Sequence, residues 1–239
     1  MAVEHVPQTR PRDDVARGIA LRAVQIGVMF LLIGGVLFGA AGRLDWSWGW
    51  ADLAIYLAST LVNAWFLRRD PELVAERGQP GRMPAWDKAL GGLWSLAQFV
   101  LLPLVAGLDE RFAWTGPVDV AGHVAGVLVF AAGLALFGWA MIANAYFSTV
   151  ARVQPERGQA VCREGPYRFV RHPGYVGAIL QSIGSPFLLG SMWALLPAAA
   201  AAVLMGARTS FEDRMLMADL PGYEEYARDV RQRLLPGVW

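Results

Sequence analysis

The strongest constraint on the fold of this chain is a series of long apolar runs that carry almost no charge. Residues 23–42, 89–108 and 173–207 contain no charged side chain, and residues 46–67 contain only Asp52. A helix needs about 20 mostly apolar residues to cross roughly 30 Å of hydrocarbon. Because 55% of the 239 residues are apolar and are gathered into such runs, the sequence predicts an integral membrane protein.

The number of runs predicts an all-α, polytopic transmembrane bundle with about six spans. Residues 120–151 add a fourth single span, interrupted only by His123. The run at 173–207 is far too long for one span, because an α-helix rises about 1.5 Å per residue. Since Gly190 lies near its middle, we interpret this run as a C-terminal hairpin of two helices that turns near residues 189–191.

The positive charges are divided very unevenly between the two sides of such a bundle. With six spans, 19 of the 21 lysine and arginine residues fall on the side of the two termini. Cytoplasmic loops carry the excess of these residues, so we expect both termini to be cytoplasmic and the membrane to be a bacterial inner membrane. Trp46, Trp48, Trp50 and Trp114 fall at the opposite boundary, and we interpret them as interfacial anchors.

The composition argues against several classes of ligand. The net charge is +1 and no basic stretch is dense, so we expect no nucleic-acid partner. Cys162 is the single cysteine, which makes an intrachain disulfide impossible. Because the three histidines and this cysteine are spread over the chain, we expect no metal site either.

Polar residues that suit a binding site concentrate in the last third of the chain, on the predicted cytoplasmic side. Residues 151–175 hold five arginines and three aromatic residues, and this stretch contains Arg171-His172-Pro173. Proline suits the first turn of a helix, because its missing N–H costs no hydrogen bond there. We therefore place His172 at the N-cap of a helix and Tyr175 in its first turn.

A second polar cluster follows the predicted hairpin. Arg208 and Glu212 are four residues apart, so they share one helix face, and Asp213 follows directly. These two adjacent acids lie where the helix leaves the membrane, opposite a loop with five arginines. Such a concentration of charge is greater than a solvated surface needs, so we interpret it as part of a binding site. The plainer alternative, that Glu212 and Asp213 only pair with Arg208 and Arg214, remains open from the sequence.

The tail of the chain predicts an amphipathic helix that lies on the cytoplasmic surface of the membrane. Asp219 is its candidate N-cap, and Tyr223 and Tyr226 recur at helical spacing. The simplest interpretation of these two tyrosines is that they anchor the helix at the interface.

Three motifs follow one another in this part of the chain. They are GPYRFVRHPGYVG at residues 165–177, RTSFED at residues 208–213 and LPGYEEYARDVRQRLLPGVW at residues 220–239. As an ordered set they resemble the isoprenylcysteine carboxyl methyltransferase family and its phospholipid-methyltransferase relatives. The resemblance is good over roughly the C-terminal 90–100 residues and weaker before Asn144.

Members of that family are integral membrane enzymes that take a methyl group from S-adenosylmethionine. The resemblance therefore implies a single membrane domain over residues 1–239, with a cofactor-binding core at residues 144–239. It leaves the helices of residues 1–118 without an assigned role.

The resemblance implies a set of cofactor-binding residues and no catalytic residue. It places Arg171, His172, Pro173, Tyr175 and Glu212 at the cofactor. The family typically has Glu-Glu where this chain has Glu212-Asp213, so Asp213 is a shorter candidate for the second acidic contact. Tyr167 joins the set because an aromatic face stabilises a cation such as the sulfonium of the cofactor.

The function that these features favour is direct methyl transfer to a lipidic acceptor such as an isoprenylcysteine-like carboxylate. A phospholipid amine or a small thiol remains an alternative acceptor. A membrane NADPH-dependent reductase of the sterol type is an alternative from another class, since it carries a superficially similar motif. A transporter is disfavoured, because Asp52 and His123 are the only ionisable residues in the predicted spans.

Overall fold

The computed structural model describes residues 12–78, 83–235 and 237, and over this part of the chain it contains α-helices and no strand. The helices are α1 (Arg12–Ala41), α2 (Ser47–Leu67), α3 (Pro71–Gly78), α4 (Ala85–Leu96), α5 (Leu102–Phe112), α6 (Val120–Ala143), α7 (Pro173–Leu189), α8 (Leu195–Asp219) and α9 (Tyr223–Asp229). A π-helical turn at Ala97–Leu101 joins α4 to α5. The predicted all-α fold is confirmed, while Pro236, Val238 and Trp239 of the last motif lie outside the described residues.

Four helical segments are long and apolar enough to cross a membrane. They are Asp13–Ala41, Ser47–Leu67, Ala85–Phe112 and Val120–Ala143. Large apolar side chains such as Leu31 point away from the protein on these helices, with 78% of that residue exposed. Lipid, unlike water, makes such exposure favourable, and the protein is an integral membrane protein.

The predicted C-terminal hairpin is present, although the count of six spans stays a prediction. Gly190, with a φ of 75°, ends α7, and α8 begins at Leu195 after a short turn. With 17 residues α7 is shorter than the four segments above. The second half of α8 carries Arg208, Glu212 and Asp213, and it buries part of this charge inside the protein.

Close glycine contacts set α7 against α6 in an antiparallel pair. A β-carbon on Gly126 would lie 2.1 Å from the Leu188 nitrogen, and one on Gly184 would lie 2.4 Å from the Phe130 nitrogen. The two backbones therefore touch, which only glycine permits. This packing brings the first turn of α7 next to the end of α6, where the polar loop of residues 144–172 begins.

Of the four tryptophans interpreted as anchors, Trp46 is buried inside the protein and Trp48 is partly buried against it. Trp46 is only 5% exposed, and the Trp48 ring stacks on the His123 ring with centroids 4.2 Å apart. Trp50 and Trp114 are half-exposed, as an interfacial position would require. A cluster of tryptophans near a span boundary thus serves packing as well as the interface.

The predicted surface helix of the tail is also different from the prediction. Asp219 is the last residue of α8 rather than an N-cap, and Gly222, in the left-handed region, precedes α9. Tyr223 and Tyr226 are 4% and 2% exposed, so the interpretation of these rings as membrane anchors is wrong. Both rings share one helix face, and that face packs on the protein.

Candidate functional site

A cavity lies where the loop of residues 144–172, the start of α7, the end of α8 and α9 meet. Its volume is about 750 Å³ when the open space at its mouth is included. All the side chains that line it fall between Asn144 and Tyr226, within the segment that the sequence predicts to be the cofactor core.

The cavity brings together residues that are far apart in the chain. Five of the seven residues predicted to bind the cofactor line it: Tyr167, Arg171, His172, Tyr175 and Glu212. The other two, Pro173 and Asp213, are buried and do not line it. The structure therefore gathers the two predicted polar clusters at one place, from the loop and α7 on one side and from α8 on the other.

The first turn of α7 has the predicted local structure. Pro173 is the first helical residue and His172 is the N-cap. The backbone N–H groups of Arg171 and His172 donate to the carbonyl oxygens of Gln232 and Arg233, each over 3.0 Å. The chain after α9 therefore returns to hold this turn in place.

Asp213 is the centre of a buried network behind this turn. Its carboxylate accepts from Arg171 Nε at 2.8 Å and from Arg171 Nη2 at 3.0 Å. It also accepts from the Tyr223 hydroxyl and from Arg233 Nε, both at 2.9 Å. His172 Nε2 lies 3.2 Å from the same carboxylate. With 1% of the residue exposed, Asp213 orients three residues that line the cavity.

The network keeps Asp213 ionised. Burial by itself would raise the pKa of this carboxyl group, but hydrogen bonds from His172 and Arg171 outweigh burial and hold its pKa well below the ordinary value. Burial and the charge of Asp213 raise the pKa of the Tyr223 hydroxyl, which therefore stays a donor. The site accordingly has a fixed pattern of charge at neutral pH.

Glu212 has a different environment from its neighbour in the chain. It is half-buried and lines the cavity, where it accepts a hydrogen bond from the Tyr175 hydroxyl. The predicted face shared with Arg208 does not lead to a bond between them, because Arg208 Nε donates to Asp87 on α4 at 2.6 Å. One acid thus faces the cavity and the other faces the protein interior.

Residues 124–218 match a family described as the Isoprenylcysteine carboxyl methyltransferase (ICMT) family. The predicted resemblance is confirmed, and the match indicates a membrane methyltransferase. The matched residues run from α6 to the end of α8 and include His172 and Glu212. No curated protein matches the chain.

The family motifs do not include several residues that line the cavity. Among these are Asn144, Tyr146, Phe147, Arg152, Gln159, Cys162 and Leu216. Tyr223 and Tyr226 belong to the third motif, but they were not predicted to line the site. The polar and aromatic residues that directly follow α6 are the signal that could have indicated the first three. The spacing of Tyr223 and Tyr226 placed them on one face, but it did not say what that face contacts.

Proposed function

We propose that the protein transfers the methyl group of S-adenosylmethionine to a lipidic acceptor, with the cofactor bound in the cavity between the loop of residues 144–172 and α8. The observation that carries this proposal is the convergence of His172 and Glu212 on one cavity within the segment that matches the methyltransferase family. When bound, the cofactor supplies an electrophilic methyl group on a sulfonium sulfur.

The lining of the cavity suits the positive parts of this cofactor. Glu212 offers a carboxylate for the ammonium group or the ribose hydroxyls. The rings of Tyr167 and Tyr175 offer aromatic faces for the sulfonium. The hydroxyl of Tyr175 donates to Glu212, so this acid is held in one orientation before a ligand arrives.

Arginine N–H groups suit the carboxylate of the cofactor. Arg171 makes four hydrogen bonds within the protein, which leaves one of its five N–H groups for a ligand. Arg152 also lines the cavity, and its buried Nε has no hydrogen-bond partner among the residues that the structure describes. We therefore assign the cofactor carboxylate to both arginines rather than to Arg171 alone.

Asp213 has a positioning role in this proposal. It does not line the cavity, but it orients Arg171, His172 and Tyr223, which do. Methyl transfer is a direct displacement, so rate depends on alignment of the nucleophile with the methyl group and sulfur. A carboxylate or thiolate acceptor needs no general base, and an isoprenylcysteine-like carboxylate fits this requirement.

The same proposal includes the orientation of the protein in the membrane. The cavity lies at the end of the bundle where the segments rich in arginine meet, which the positive-inside rule assigns to the cytoplasm. In a bacterial inner membrane a water-soluble cofactor would then enter from the cytoplasm, and a lipidic acceptor would enter from the bilayer.

Titration calorimetry on the detergent-solubilised protein tests the cofactor. We expect S-adenosylmethionine and its demethylated product to bind and NADPH not to bind. Binding of NADPH without binding of S-adenosylmethionine would instead support the reductase alternative and overturn the proposal.

Two variants test the site. We expect Glu212→Gln and His172→Ala each to weaken S-adenosylmethionine binding about tenfold or more, because each removes a group that faces the cavity. The matched control is Glu224→Gln, since Glu224 is exposed and pairs with Arg228 in the next turn. Circular dichroism establishes that each variant is folded. Unchanged affinity in both site variants would remove these residues from the proposed site.

A further inference from the structure

The short helix α3 contacts one wall of the candidate cofactor cavity, although it falls outside the segment that matches the family. The helix begins at Pro71, and the Asp70 carboxylate before it accepts from the Leu73 N–H at 3.0 Å. Leu73 is buried in an apolar cluster against which Phe147 packs. The guanidinium carbon of Arg77 lies 5.2 Å from the centre of the Phe147 ring. Because Phe147 lines the cavity, α3 supports that wall from behind.

Glu76 extends from α3 to Arg152, which also lines the cavity. Arg152 Nη2 donates to Glu76 at 2.7 Å, and Glu76 is completely buried. Arg152 Nη1 donates to Glu156 at 2.6 Å, but Glu156 lies in the same loop and its side chain is 55% exposed. Water and salt screen an exposed pair much more than a buried one. Glu76 is therefore the partner that fixes the direction of the guanidinium group.

A second buried acid fixes the backbone next to Arg152. The Asp87 carboxylate of α4 accepts from the Ala151 N–H at 2.8 Å and from Arg208 Nε at 2.6 Å. Asp87 is 1% exposed and also precedes the family match. Since Asp87 holds the backbone, loss of Glu76 should release the side chain of Arg152 and leave the loop in place.

Arg152 keeps donors for a ligand while Glu76 holds it. A guanidinium group has five N–H groups, and Glu76 and Glu156 each accept from one of them. The buried Nε has no hydrogen-bond partner among the residues that the structure describes. A buried donor without an acceptor costs free energy. A carboxylate suits this side chain, because it accepts two parallel hydrogen bonds from a guanidinium group.

We propose that Glu76 is a positioning residue, which holds Arg152 in the direction from which this side chain binds the carboxylate of S-adenosylmethionine. This inference rests on the proposed function and deepens it, because it gives a role to one of the N-terminal helices. Glu76 itself does not line the cavity. Without it, Arg152 would turn toward Glu156 and water. Ordering the side chain again on binding would cost conformational entropy and lower the affinity.

Titration calorimetry with two ligands tests this role. One ligand is S-adenosylmethionine, and the other is its decarboxylated analogue, which keeps the sulfonium and the ammonium group. Glu76→Met removes the acceptor oxygens at a similar side-chain volume. We expect this variant to bind S-adenosylmethionine about tenfold more weakly and the analogue with a change below about threefold. A defect in folding or in the shape of the cavity would weaken the binding of both ligands.

A double-mutant cycle shows whether Glu76 acts through Arg152. We expect Arg152→Met to weaken S-adenosylmethionine binding by at least about tenfold, and Glu76→Met to add no further loss in that background. Glu76→Gln keeps an acceptor oxygen and should retain the affinity of the parent protein. The matched control is Glu156→Met, which removes the exposed acid from the same arginine. We expect its affinity to change by less than about threefold.

Three results would overturn the proposal. They are an unchanged affinity for S-adenosylmethionine in Glu76→Met, equal losses for the two ligands, and a further loss when Glu76→Met is added to Arg152→Met. Circular dichroism establishes that each variant is folded, and Glu76→Ala, which removes the same oxygens without new bulk, replaces Glu76→Met if that variant does not fold. The parent protein is titrated first. If it does not bind S-adenosylmethionine, the proposed function itself has failed, which separates the two outcomes.

Discussion

The two clusters of buried charge near the cavity are built in opposite ways. Around Asp213, one carboxylate is matched by Arg171, Arg233 and the hydroxyl of Tyr223. Around Arg77, the positive charge of Arg22 is added and no described carboxylate balances it. A complete network holds residues in place, whereas a buried charge without a partner costs free energy. The first cluster therefore stabilises the fold, and the second does not.

The largest effect should come from removing the centre of the complete network. Asp213→Asn leaves Arg171 buried without its counter-charge, which should lower the free energy of unfolding by about 3–5 kcal/mol. Unfolding followed by circular dichroism in detergent measures this loss. The control is Asp229→Asn, whose side chain is 60% exposed, with an expected loss below about 1 kcal/mol. If the free energy of unfolding falls equally in the two variants, the buried network around Asp213 contributes no more stability than an exposed side chain.

The pH dependence of stability should show the next largest effect. The pKa of Asp213 is lower in the folded protein than its ordinary value, so its ionised form stabilises the fold. This stability is fully present above the unfolded pKa of about 3.9 and is lost as pH falls toward the lower folded pKa. Asp213→Asn lacks this group. We therefore expect the difference in melting temperature between the two proteins to shrink below about pH 4. A constant difference would show that the charge of Asp213 is not what stabilises the network.

A smaller effect is expected from removing one donor and keeping the charge. Tyr223→Phe deletes the hydroxyl that donates to Asp213 over 2.9 Å, and hydrogen bonds to charged groups contribute about 1.5–3 kcal/mol. The free energy of unfolding should fall by that amount. The matched control is Tyr146→Phe, because its hydroxyl donates to an exposed carbonyl, that of Gly158. If the control loses as much stability as Tyr223→Phe, the hydrogen bond to the buried Asp213 contributes no more than an exposed hydrogen bond.

The smallest effect should come from an exposed ion pair. Arg163 Nη1 lies 2.7 Å from Asp229, and the two side chains are 43% and 60% exposed. Water and salt screen such a pair, so Arg163→Gln should change the free energy of unfolding by less than about 1 kcal/mol. Denaturant unfolding provides the measurement. A loss comparable to that of Asp213→Asn would show that burial does not separate the two kinds of pair.

The adjacent acids of α8 show a property that the sequence does not determine, namely the direction in which each side chain points. The sequence identified Glu212 and Asp213 as candidates for the same site, because they lie side by side opposite an arginine-rich loop. Neighbouring residues on an α-helix point about 100° apart. Glu212 therefore reaches the cavity while Asp213 reaches Arg171. Only the rotation of α8 against α7 decides which acid faces which way.

The tyrosines of α9 show that the sequence also does not determine what an apolar helix face contacts. Their spacing predicted one amphipathic face correctly, since Tyr223 and Tyr226 are both buried. A face that packs on protein and a face that lies in lipid have the same periodicity. The Tyr226 hydroxyl donates to the Tyr167 carbonyl at 2.7 Å, and no local pattern could indicate a partner that far away in the chain.

The amino-acid sequence was sufficient to predict that the protein is helical, that it lies in a membrane and that its C-terminal part resembles a methyltransferase family. These conclusions depend on local properties, namely the length of apolar runs and the order of short motifs such as the one around His172. Which charges are neutralised, and which, like Arg77, have no ion-pair partner among the described residues, became clear only from the tertiary structure. Charge pairing depends on distances between residues remote in the chain, and those distances exist only after the helices have packed.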